Sequence, residues 1–156
     1  MVPIITGIHA KNRQKARESD LEEKKIGILE IPKIDVHLPI YPSVSEQELE
    51  SGVGHIPESN WIDEGTNSHC LIAGHRGLPG TVLLAKLHEM EEGDYFYVTQ
   101  KMQTYRYQVC QIQVIRPQDT EKLITKEDGE FVSLITCTPY GIHTHRLIVT
   151  GRRMEE

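Results

Sequence analysis

Three residues of this chain could carry thiol chemistry, and each borders an apolar run. Cys137 closes Phe131-Val-Ser-Leu-Ile-Thr136 and precedes the loop-like segment Thr138-Pro-Tyr-Gly-Ile-His-Thr144. A thiol at a strand end beside a loop is both held and reachable, as a nucleophile presenting one atom at fixed geometry must be. Its reactive form is the thiolate, which needs a positive or proton-accepting group nearby. Arg146 lies nine residues further on, at the start of the next apolar run, and an antiparallel return would bring it beside Cys137. A guanidinium there is permanently charged and can hydrogen-bond an oxyanion or a substrate carbonyl. A solvated arginine at a barrel rim fits the local pattern equally well.

The third member would be a histidine. There are eight, at positions 9, 37, 55, 69, 75, 88, 143 and 145, so the residue type alone selects nothing. His75 differs in ending the apolar stretch Ser68–Gly74 and opening the loop-like Arg76-Gly77-Leu78-Pro79-Gly80. Strand alternation puts His143 and His145 on one face, a conceivable metal pair. No third ligand sits at matching spacing, so neither a metal nor any other cofactor is expected.

The remaining cysteines, Cys70 and Cys110, lie inside β-type runs and read as small buried hydrophobes. Three cysteines cannot complete a disulfide framework, and their spacing is not that of a zinc ribbon. With 156 residues and a net charge of -6, one domain is expected, and broad affinity for nucleic acid is not. No run approaches the roughly 20 apolar residues that span a bilayer, and no signal peptide opens the chain.

The elements that must position these residues can be read from period and punctuation. Residues 9–25 are almost wholly polar and rich in helix formers, a surface helix or arm. Strands are expected over 27–31 and 34–41, broken at Pro32-Lys33. A short helix capped by Ser45 is expected through Ser51, followed by a loop over 52–66. Strands follow at 68–74, 95–98, 104–116, 131–137 and 145–149, with apolar spacing over 81–90 suggesting a helix. Many short strands with helices tucked into the connections argue for a β-barrel or closed β-sandwich.

The segment Leu134-Ile-Thr-Cys-Thr-Pro-Tyr-Gly-Ile-His-Thr-His-Arg-Leu147 closely resembles the active-site signature of sortases, a Thr-Cys pair followed nine residues later by arginine. Ala73-Gly-His-Arg-Gly-Leu-Pro79 resembles the histidine motif of the same family. Both are most similar to the pilus-assembling sortases of class C, and the likeness extends over about residues 26–153. The resemblance implies a mainly β fold, a closed eight-stranded barrel with a few short helices and a polar N-terminal arm. It implies an arm over 1–25 and a catalytic domain over 26–156. It also implies that His75, Cys137 and Arg146 are catalytic; Thr136 and Thr138 are candidates for lining the substrate groove, with ordinary β-propensity as the alternative.

The implied reaction is cysteine transpeptidation. A surface protein bearing a Leu-Pro-x-Thr-Gly-like sorting signal is cleaved between Thr and Gly, and the acyl group passes to an amine, in class C a pilin lysine. The implied place is the extracytoplasmic face of a Gram-positive cell membrane, with anchoring segments outside this chain. Two features depart from class C: no Asp-Pro dipeptide of the kind found in its lid occurs, and no membrane anchor is present. Competing expectations are a sortase that anchors proteins to cell-wall peptidoglycan and a non-catalytic β-barrel binding module. A papain-like hydrolase is disfavoured, because a Pro/Gly loop follows Cys137 where that family needs a helix.

Overall fold

In the computed structural model, residues 23–65, 67–77, 83–119, 128–138 and 144–155 are described, with the backbone alone at 137 and 138. The reading of 1–25 as an arm therefore falls almost entirely outside the described residues.

Alternation builds the first strand. In Gly27–Ile31 (β1) the side chains of Leu29 and Ile31 are fully buried, while Ile28 and Glu30 between them are half-buried. Pro32 has no N–H for a ladder. The chain leaves the sheet there in a 3-10 turn, Pro32–Ile34, and Asp35 reverses it at φ 55°. Val36–Tyr41 (β2) returns antiparallel, with Val36 opposite Ile31 and Ile40 opposite Gly27. Ser45 caps Glu46–Ser51 (α1), its hydroxyl accepting from the Glu48 N–H at 3.4 Å.

The remaining strands are Val53–His55 (β3), Ser68–Ala73 (β4), Tyr95–Gln100 (β5), Gln103–Ile115 (β6), Glu130–Thr138 (β7) and His145–Met154 (β8). They close into a barrel in the order β1-β2-β3-β4-β7-β8-β6-β5. The pairs β2–β3 and β4–β7 are parallel and the others antiparallel. The mainly β, closed eight-stranded architecture with few helices is the one expected. Its interior is one cluster drawn from nearly every strand, including Leu29, Ile72, Phe96, Tyr107, Leu134 and Val149. Closure leaves no open sheet edge around most of the wall and lets short strands share one core.

The structure departs from the sequence reading at four places. The loop expected over 52–66 contains β3. This strand is three residues long with a central glycine, and a Cβ on Gly54 would collide with the Ser43 carbonyl, so packing excludes the residues that signal a strand. Over the described part of 81–90 the chain forms only a 3-10 turn, Leu87–Glu89. Its i+3 bonds, Leu87 N–H to Leu84 and Met90 N–H to Leu87, bury the same apolar spacing as the helix would have done. The last strand runs to Met154, five residues beyond its expected end, because β7 pairs with it as far as Arg152 and β6 as far as Met154. Finally, Cys110 is exposed rather than buried. The β6–β8 register passes from Val109 to Gln111, so Cys110 is the extra residue of a bulge and turns away from the core.

Candidate active site

The strand registers bring the three chemically suggestive positions to one level of the barrel. In the parallel β4–β7 pair, Leu71 lies opposite Ser133 and Ala73 opposite Ile135. The Gly74 N–H extends the ladder by donating to the Ile135 carbonyl at 3.0 Å. Continuing that register by two residues sets His75 opposite Cys137. In the antiparallel β7–β8 pair, Cys137 is the direct partner of Arg146. Neighbouring strands are about 4.8 Å apart, so three adjacent strand ends place the positions side by side across roughly 10 Å.

All three positions also belong to one face of the sheet. Ile72, Leu134, Leu147 and Val149 point into the barrel. Leu71, Ile135 and Ile148 form a second, smaller cluster on the outer face, supported by Ile56, Ala73 and Ile115. With a period of two, positions 75, 137 and 146 fall on this outer face, directly above Ala73, Ile135 and Ile148. The second cluster is thus an apolar floor beneath the rung. An apolar floor strengthens electrostatic interactions above it by keeping water off one side.

Local packing fixes the histidine segment. A Cβ on Gly74 would lie 2.8 Å from Val53 Cγ1 and 3.0 Å from Leu84 Cδ1, so only glycine lets the chain pass between β3 and the Leu84 segment. The Leu84 N–H donates to the His75 carbonyl at 3.1 Å, tying the residues after the loop back to its start. Arg76 donates through Nη2 to His88 Nδ1 at 3.2 Å. The Nε2 of His75 is shielded from solvent and has no hydrogen-bond partner among the described residues. The carboxylate nearest to it is that of Glu46, from α1, at 3.8 Å. On β8, half-buried Arg146 donates to the neighbouring His145 carbonyl at 3.2 Å. An imidazole and a guanidinium flanking a cysteine position can activate a thiol, pass a proton and receive an oxyanion.

The other candidates fall elsewhere. Thr136 is buried and pairs with Leu147, which places it on the barrel-interior face rather than on the face of position 137, so it does not line a groove there. The Thr138 side chain and His143 lie outside the described residues. His145 is paired by the Thr144 hydroxyl through Nδ1 at 2.9 Å. Among the described residues no group of three His, Cys, Asp or Glu side chains is placed to hold a metal ion. Also among them, no helix is long and apolar enough to cross a membrane.

The remaining thiols contrast with position 137. Cys70 is sealed in the core, where burial pushes its thiol far up from the ordinary value. The exposed Cys110 donates to the Thr150 carbonyl at 3.5 Å, away from the rung. Glu46 is the residue near the site that sequence reading did not single out. Its sequence signal was only that of an acidic first helical turn.

Comparison with known proteins decides the family. The Sortase domain family matches residues 29–154, which include all three positions. This chain belongs to the sortase family. Sortase D of Bacillus subtilis is 31% identical over 131 residues, 82% of this chain and 63% of that protein. Sortase A of Streptococcus agalactiae is 32% identical over 127 residues, 80% of this chain and 51% of that protein. This sortase thus spans between half and two thirds of those relatives. Among solved structures, Sortase C of Streptococcus pneumoniae superposes with a TM-score of 0.82 at 39% identity, covering 85% of this chain and 70% of that one. The barrel described above is accordingly the sortase fold, and its structural likeness extends to class C.

Proposed function

We propose that this sortase is a cysteine transpeptidase acting on a surface protein that carries a Leu-Pro-x-Thr-Gly-like sorting signal. The observation that supports the reading is the β7–β8 pairing of Cys137 with Arg146, with His75 two residues beyond the Ala73–Ile135 pair, above an apolar floor. The catalytic domain is residues 26–156, preceded by the polar arm 1–25. The reaction takes place at the extracytoplasmic face of a Gram-positive cell.

In the first half-reaction the Cys137 thiolate attacks the carbonyl carbon of the signal's threonine. Arg146 donates hydrogen bonds to the oxyanion that forms. The tetrahedral intermediate collapses with cleavage of the Thr–Gly bond, and the His75 imidazolium gives its proton to the departing glycine amine. An acyl group is left on Cys137 as a thioester. In the second half-reaction an amine attacks that thioester, its proton returns to His75, and the thiolate leaves. The product is a new amide, and no oxidant or external energy source is required.

The acceptor we propose is a pilin lysine, giving an isopeptide-linked fibre. Support comes from the Thr138-Pro-Tyr-Gly141 loop sequence and from the structural likeness to a Sortase C. A second reading is anchoring to the amine of cell-wall peptidoglycan, considered because similar relatives include a Sortase D and a Sortase A as well as a Sortase C. Offering one sorting peptide with a lysine-bearing pilin domain and with a peptidoglycan-type amine, in separate reactions, tests this. Faster product formation with the pilin lysine is expected; faster transfer to the peptidoglycan amine would replace the first reading by the second.

A further inference from the structure

We infer that Glu46 is a positioning residue for His75, holding the imidazolium by its Nε2 so that the opposite nitrogen, Nδ1, faces the reacting atoms. The inference rests on the assignment of His75 as acid and base. It comes from a contact that neither the motifs nor the family comparison supplies.

The ring nitrogen Nε2 of His75 is out of solvent and unbonded among the described residues. A buried polar atom left in that state is disfavoured, most of all when it carries a proton and charge. The Oε2 of Glu46 stands 3.8 Å from it, close enough to attract a charged ring and about 1 Å too far for a hydrogen bond. The Glu46 side chain is 83% exposed, so it can swing toward the ring, whereas the His75 side chain is only 29% exposed. The base of Glu46 is fixed, because it opens α1 behind the Ser45 cap.

The charges around His75 make this carboxylate matter. Arg146 stands two strands away on the same rung, and Cys137 between them. Arg76 follows His75 directly and is held by His88. Among the described residues Glu46 is the one carboxylate within 4 Å of His75. A carboxylate behind a histidine also selects which ring nitrogen works, the arrangement seen wherever an imidazole must be oriented.

The test is the pH profile of kcat and KM for the full chain, using a Leu-Pro-x-Thr-Gly peptide and a lysine-bearing acceptor. Wild type is compared with Glu46→Gln, Glu46→Asp and, as a control on the same helix, Glu50→Gln. For an exposed carboxylate at this distance, Glu46→Gln is expected to lower kcat about two- to fivefold near neutral pH. The alkaline limb should move to lower pH, KM for the peptide should hold, and the deficit should close at acid pH. Raised ionic strength should shrink the difference, Glu46→Asp should restore part of it, and Glu50→Gln should match wild type. A loss uniform across pH, or none at all in Glu46→Gln with wild type active, would overturn the inference alone. A wild type that forms no acyl-enzyme would overturn the catalytic assignment and this inference with it.

Discussion

On the proposed catalytic rung, residue identity matters more than residue charge. Arg146 pairs with Cys137 across β7 and β8 and carries a planar fork of donors, and a lysine offers a single mobile ammonium in its place. Arg146→Lys is therefore expected to reduce kcat by about 100-fold, the scale of losing one aligned oxyanion donor. Steady-state rates with a sorting peptide would show it, and a variant within twofold of wild type would remove Arg146 from the mechanism. A different histidine governs stability. His69 is buried beneath the outer face, where Ser133 Oγ lies 2.7 Å from its Nε2 and in turn bonds Thr150 Oγ1 at 2.6 Å. Burial pushes its pKa below the ordinary value of 6.5.

The unfolded chain thus takes up this proton at a higher pH than the folded one. Between the two values the unfolded state binds more protons, so stability rises with pH there. The contribution is complete above about pH 6.5 and is lost as pH falls through the window. The thermal midpoint is expected to drop from pH 7 to pH 5, with a smaller drop in His69→Asn. Equal slopes in the two proteins would refute the assignment. Asp94, held below its ordinary 3.8 chiefly by the hydrogen bond from Lys33, acts only at lower pH and does not confuse the comparison.

Among the elements, the ones that announce themselves in sequence do so through sharp local signals. Pro32 marks the break between β1 and β2, and Ser45 marks the start of α1. The ends of β4 and β7 are legible because an apolar run stops at a polar, Gly- or Pro-containing loop. What cannot be read this way depends on partners distant in the chain. β3 needs β2 and β4 to exist, and the bulge that expels Cys110 arises only in register with β8. The turn joining β5 and β6 is equally silent. Gln100 pairs with Gln103 across two residues, Lys101 and Met102, at φ 45° and 66°.

A two-residue hairpin of this hand favours Asn-Gly, so Lys and Met are held there by the strands they join. Replacing them with Lys101→Asn and Met102→Gly is expected to stabilise the barrel by about 1–2 kcal/mol. The thermal midpoint should then rise by about 3–6 °C, and an unchanged or lower midpoint would show the turn to be unstrained.

For the molecule as a whole, closure turns separate strand ends into a site. β1 pairs with β2 on one side and with β5, some seventy residues on, at the other, so the wall that supports β4, β7 and β8 is continuous. His75, Cys137 and Arg146 stand out in sequence as candidates because two motifs carry them. Their common rung does not, since it depends on one parallel and one antiparallel register that no local pattern encodes. Glu46 was invisible for the same reason: it lies 29 residues before His75 and meets it only in the folded chain, at 3.8 Å.

The central claim is that a thioester forms on Cys137, and intact-mass spectrometry tests it most directly. The full chain is incubated with a Leu-Pro-x-Thr-Gly peptide, then with an added amine, beside a Cys137→Ala control. The account predicts a mass increase equal to the peptide acyl fragment ending in threonine, mapped to Cys137, discharged by the amine as a new amide and missing from the control. An adduct that persists in Cys137→Ala, or maps to Cys70 or Cys110, would contradict it.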